Sequence, residues 1–219
     1  VELTNQQEDI FDAKLGIWLE WHKKSELPQY INHLSELSDD IRTQQLSLHK
    51  IDYHQQKAAD HWARLKAKII PDLVAMSPMF SQEQVDSMFE EIDKINKEEE
   101  DEREDLLAKT PEKRKSESLK RNKKNLERWL GKLDNEQEQL VEKTHGGYHS
   151  NGELWLQYRV RYQAELRTLL NDTDRGERFK SKLTNLLMMP EKYRGELLNQ
   201  RNIENSNNYK KFLCAADSM

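Results

Sequence analysis

Three times in this chain an apolar residue is followed by Thr, Ser or Asp and then, three positions on, by Gln: Leu3-Thr4-x-x-Gln7, Phe80-Ser81-x-x-Gln84 and Leu133-Asp134-x-x-Gln137. Each phrase is a helix start. The oxygen of Thr4, Ser81 or Asp134 accepts an otherwise orphaned first-turn amide, and the Gln side chain returns to the cap's own amide. A chain that opens helices this explicitly is built of helices, and its apolar residues agree: 28 Leu stand against 5 Val and 10 Ile. Leu keeps its rotamers in a helix, whereas β-branched residues favour strands. With only Gly 7 and Pro 5 to interrupt it, the chain reads as all-α, an assembly of about eight long helices.

The core of such an assembly is thin. Hydrophobic residues make up 35% and charged ones 34%, with a mean hydropathy of -1.03, against roughly 45–50% apolar in an average domain. Five Trp, seven Tyr and five Phe are nevertheless too many aromatics for a disordered chain. We expect one elongated domain over 1–219. The net charge of -5 and pI near 5.9 supply no general attraction to nucleic acid or anionic membrane. No stretch reaches the ~18 apolar residues of a spanning helix, and the chain as it stands reads as soluble, without a signal-peptide core.

The apolar spacing places the helices. A first helix follows Thr4, buries Ile10, Phe11, Leu15, Trp18 and Trp21 or His22, and stops near Lys24. Ser25-Glu26-Leu27-Pro28 then restarts a second with Tyr30, Ile31, Leu34, Leu37 and Ile41 as its inner stripe, so the two form a hairpin or corner. A third runs from Leu48, capped by Ser47, until Pro71 kinks or ends it. The fourth follows Ser81 with Val85, Met88, Phe89, Ile92 and Ile95. Later helices follow Thr110-Pro111, Asp134, Asn151-Gly152 and the turn Asp172 to Gly176, and weaker ones lie past Pro190 around Asn202 to Asn208.

Residues 96–120 carry a charge reversal. From Glu98 to Asp105 seven residues are acidic, Glu98, Glu99, Glu100 and Asp101 among them; Lys113, Arg114 and Lys115 open a block with seven basic residues to Lys124. Acids at a helix C-terminus and bases at an N-terminus oppose the macrodipole, so local helix energetics did not place them. A projecting helical hairpin follows, with Asp105 near Arg114 and Glu98 near Arg121. Exposed pairs of this kind contribute about 0–1 kcal/mol each. The blocks are either solvated faces or an arm that touches a partner.

Trp18, Trp21, His22, Glu26, Pro28 and Tyr30 form the densest aromatic group. They read either as a lock at a helix corner or as an aromatic partner-binding groove. Catalytic patterns are absent. His22, His33, His49, His54, His61, His145 and His149 lack the His-Glu-x-x-His spacing, although His54 and His61 share a helix face. Cys214 is a lone thiol with no base beside it in sequence, and no glycine-rich phosphate loop occurs. The expectation is a non-enzyme without metal or cofactor that binds neither nucleic acid nor, by its own surface, membrane.

Leu3-Thr4-x-x-Gln7 leading to Trp18-x-x-Trp21-His22 and Glu26-Leu27-Pro28-x-Tyr30-Ile31 resembles the opening of a family of uncharacterised proteobacterial lipoproteins with a domain of unknown function. The likeness continues through His61-Trp62, Pro71-Asp72-Leu73, the second and third caps, Trp129-Leu130-Gly131 and Gly152-Glu153-Leu154-Trp155, over most of the chain. It implies a periplasmic-side envelope location, a lipid-modified cysteine upstream of Val1, and a partner among envelope proteins. The Leu-Thr-x-x-Gln phrase alone is also similar to that of periplasmic stress chaperones and metal-responsive regulators. Binding or scaffolding is the function this implies, with a chaperone for unfolded envelope proteins or a metal-responsive sensor as alternatives.

Overall fold

The computed structural model describes residues 2–217, and nearly all of them are helical. α1 (Asn5–Trp21) does not stop where a break was expected. It passes through one π-helical turn, His22–Glu26, straight into α2 (Leu27–Arg42). The Leu27 amide reaches back five residues to the His22 carbonyl, and this widened turn admits Pro28, which has no amide to give. The expected hairpin or corner is therefore a continuous rod.

α3 (Leu48–Met76) starts at the predicted Ser47 cap but runs through Pro71. Proline costs about 3 kcal/mol inside a helix; here Ile70 and Val74, buried on either side of it, hold the last turns in the main core. After a short 3-10 turn at Ser77–Met79 come α4 (Gln82–Ala108), α5 (Pro111–Leu130), α6 (Asn135–His145), α7 (Gly152–Leu170), α8 (Glu177–Met188) and α9 (Glu196–Asp217). With α1 to α2 counted as one rod, the described residues form eight rods and no strand. The all-α expectation holds.

All three predicted capping boxes form, at Thr4/Gln7, Ser81/Gln84 and Asp134/Gln137. The first two are also joined to each other. Gln7 Nε2 donates to Gln84 Oε1 and to the Met79 carbonyl, while Gln84 Nε2 donates to Gln7 Oε1 and to the Glu2 carbonyl. Each oxygen also accepts its own cap's amide, from Thr4 and Ser81. Both amides are thus fully satisfied, and α1 is pinned to the start of α4.

The main core lies where α3, α7 and α8 meet: Ile70, Val74, Leu169, Phe179, Leu183 and Leu186 are buried together, with Tyr162, Leu166 and Tyr193 against them. α9 is one helix where two weak ones were expected. Its asparagines, poor helix formers alone, bond the loop before α7: Asn205 exchanges two bonds with the His149 backbone, and Asn202 accepts from Asn151.

The charged segment differs from expectation in its pairing. Among the described residues neither Asp105–Arg114 nor Glu98–Arg121 occurs. The acidic helix turns instead to α7, through Glu99–Arg159, Asp93–Arg167 and Glu153–Arg103, and Lys123 of the basic helix turns to Glu138 and Glu142 of α6. Across the turn between the two helices it is Lys109 and Glu117 that pair, at 2.9 Å. The Trp129 and Leu130 side chains, from the Trp129-Leu130-Gly131 element of the family likeness, lie outside the described residues.

Candidate functional site: a histidine line beneath an apolar groove

His33 and Asp40 are seven apart on α2; His54 and His61 are seven apart on α3. Two turns of helix put each pair on one face, and packing of α2 on α3 turns the four side chains into a line. His54 Nε2 lies 3.0 Å from Asp40 Oδ2. His33 Nε2 lies 3.1 Å from His54 Nδ1, and His61 Nε2 lies 3.1 Å from His33 Nδ1. Arg64 Nη2 closes on His61 Nδ1, and Arg64 Nε bonds both oxygens of Glu26 at 2.9 and 3.0 Å.

Chemistry fixes the protons along this line. Arg64 can only donate and an ionised Asp40 can only accept. Three neutral rings between them satisfy every bond in one arrangement, each carrying its proton on Nε2 and accepting at Nδ1. The surroundings favour that state. Burial, and then the charges of His54, His61 and Lys57, hold His33 below the ordinary histidine value of 6.5. Bonds from Lys50, then His54, hold Asp40 below the usual carboxylate value, keeping it anionic. The ring nitrogens bond one another and do not converge on a point, and no group of three or more His, Cys, Asp or Glu among the described residues is disposed to hold a metal.

Above the line lies an apolar groove of about 610 Å³. Leu34, Leu37 and Ile41 of α2 form one wall, Ile51 and Ala58 of α3 the other, and Tyr209 and Leu213 of α9 close one side. The expected inner stripe of α2 is not packed inside. Ile31, Leu34 and Ile41 are 60%, 61% and 49% exposed, because it is the His33/Asp40 face of α2 that meets α3. Among the described residues no element covers the apolar stripe.

The aromatic group read from sequence divides between two places. Trp18 is buried, donates to Asp72 Oδ2 at 2.8 Å and meets Phe11 edge-on; Lys14 binds the other Asp72 oxygen at 2.6 Å. Glu26, 1% exposed, belongs to the histidine line. Tyr30 packs edge-on between His22 and His61 and lines the groove. Trp21 is half-buried and Pro28 exposed. The missed residues are His33 and Asp40, whose seven-residue spacing mirrors that of His54 and His61 and was the available signal. Of the charged arm, Glu98, Glu100, Asp101, Lys113 and Lys115 are exposed and do not line the groove.

The model of a family of unknown function, DUF6279, matches residues 1–196, from the first cap to the first residue of α9. No curated protein and no solved structure matches the chain.

Proposed function

We propose that this chain, which belongs to the DUF6279 family of unknown function, is a non-catalytic binding protein that holds an apolar helical segment of another protein in the groove between α2, α3 and α9. The observation that carries this reading is the stripe Ile31, Leu34 and Ile41, large aliphatic side chains left half or more exposed beside a preformed groove. Exposed apolar surface of this continuity marks a contact site. Leu34, Leu37 and Ile41 recur at intervals of three and four, the ridge pattern an amphipathic helix fits, and Tyr30 to Ile41 spans about 16 Å, or three turns of a guest helix. α9 displays the occupant's chemistry, since Tyr209 and Leu213, four apart on one helix, already meet one side of the groove.

The likeness of the Trp18-x-x-Trp21-His22 and Glu26-Leu27-Pro28-x-Tyr30 elements to envelope lipoproteins supports a place on the periplasmic side of the bacterial envelope, with a lipid-modified cysteine before Val1. An envelope protein is then the partner, and an unfolded one exposing apolar helix-forming segments fits the groove equally well. Two assays test the reading. The protein suppresses aggregation of a permanently unfolded, carboxymethylated model protein, and Leu34→Asp with Ile41→Asp abolishes that suppression while leaving helicity intact; equal suppression by the double variant contradicts it. Feeding a fatty-acid analogue to cells making the full-length protein labels it, and an unlabelled protein refutes the anchor.

A further inference from the structure

The line Asp40, His54, His33, His61, Arg64, Glu26 has one proton arrangement that satisfies it, and an added proton upsets one particular bond. A proton placed directly on His61 Nδ1 faces the Arg64 N–H. Placed on His33 Nδ1, it meets the His61 Nε2–H, which is relieved only when His61 carries its proton on Nδ1 instead. Placed on His54 Nδ1, it passes the same conflict through His33 to His61. Every one-proton state therefore ends with an N–H on His61 Nδ1 pointing at Arg64, two donors where one bond was.

An alternative partner stands beside that conflict. His61 Nδ1 is 4.0 Å from Glu26 Oε2, and Arg64, about one-third exposed, can turn to water. We propose that this line is an acid-operated switch in which one proton transfers the buried Glu26 from Arg64 to His61, re-pairing the π-helical turn with a different residue of α3. Glu26 thereby changes partner. The π turn suits such a part, being a helical segment already held open by one residue.

Charged and titratable groups surround the line. From α2 and the π turn His22, Glu26, Tyr30, Glu36 and Asp40 face it. From α3 come Lys50, Tyr53, Lys57, Arg64 and Asp60, whose charge favours the Arg64 cation, and α9 brings Tyr209 to the groove and Lys210 to Asp52. Lys57 is engaged by Glu36 and Tyr53, Lys50 by Asp40 and Lys210 by Asp52. Among these cations Arg64 alone contacts a histidine of the line, so it is the group that a proton displaces. Consequences for the groove rest on the binding reading above; the switch itself does not.

Ring-nitrogen NMR of the histidine-labelled whole chain, from pH 8 to pH 5 without any client, tests it. At pH 8 the rings of His33, His54 and His61 all carry the proton on Nε2. On acidification His61 Nδ1 is the first Nδ1 of the three to gain one. Arg64→Gln, which replaces the competing cation with a shorter neutral amide whose oxygen can accept and frees Glu26, raises the His61 midpoint by about one pH unit, a tenfold gain in proton affinity. A ring protonated on Nδ1 at pH 8, or His33 or His54 gaining a second proton while His61 Nδ1 stays bare, overturns the proposal in the wild-type chain alone. An unmoved or lowered His61 midpoint in a folded Arg64→Gln does so too.

Discussion

Gln7 and Gln84 are bonded amide to amide across 77 positions of sequence, each donating to the other's oxygen at 2.9 and 2.8 Å. Two devices that begin separate helices thereby become one joint. Gln137, identical in its local role, bonds its own cap and, among the described residues, no second cap.

This difference separates stabilities. Removing either of two mutually satisfied amides, Gln7 buried and Gln84 half-buried, strands the other, at a cost of about 1–3 kcal/mol. Gln7→Ala and Gln84→Ala are each expected to lose that much in urea unfolding, and Gln137→Ala a few tenths to about 1 kcal/mol. The double variant Gln7→Ala, Gln84→Ala loses less than the sum, since neither partner is then stranded. Additive losses, or equal losses at all three caps, contradict the joint.

Acid weakens the fold through the histidine line. His33 titrates near 6.5 when unfolded but lower when folded, so between those two points the unfolded chain binds more protons. Stability is complete above about pH 6.5 and falls as pH drops below it. Asp40 adds the usual carboxylate effect at lower pH, its contribution fading as pH falls through the unfolded value of 3.8. The urea midpoint falls from pH 7.5 to pH 5.5, and His33→Gln flattens that fall. A midpoint unchanged in the wild type across this interval refutes the sign.

Sensitivity to truncation is concentrated where α3, α7 and α8 meet. Leu186→Ala, at a fully buried position, costs about 2–5 kcal/mol. Leu107→Ala, half-exposed on α4, changes stability by less than about 0.5 kcal/mol. Thermal unfolding of the two variants ranks them directly.

The acidic half of α4 is held to α7 by Glu99–Arg159 and Asp93–Arg167. Among the described side chains from Lys97 to Ala108 only Arg103 is even partly covered, so salt acts on this segment first. At about 1 M salt, where charges are screened within about 3 Å, its amides exchange faster than at low salt, while those of α8 do not. Equal protection at both salt concentrations contradicts a segment held by ion pairs.

Helix starts were legible because capping is a local matter: Thr4, Ser47, Ser81, Thr110 and Asp134 all cap as their sequences predict. Helix ends were less so. Pro28 and Pro71 signal breaks, but a widened turn absorbs the first and packing around Ile70 and Val74 overrides the second. The site needed knowledge of which α2 face meets α3. Hydrophobic periodicity nominates Ile31, Leu34 and Ile41; the structure seats His33 and Asp40 instead, because each finds a bonding partner on α3 that no local pattern announces. Similarly, opposite charge along 96–120 suggested two arms facing each other, whereas Glu99 pairs with Arg159 of α7, Lys123 with Glu138 of α6, and across the turn it is Lys109 and Glu117 that meet.

The groove is tested most directly by titrating the whole chain, methyl-labelled at Ile and Leu, with the carboxymethylated unfolded protein at pH 7.5. The account predicts shifts confined to Leu34, Leu37, Ile41, Ile51 and Leu213, and their loss in Leu34→Asp with Ile41→Asp. Absence of shifts at these methyls, or shifts centred on Leu119 and Leu126 of the basic helix, contradicts it.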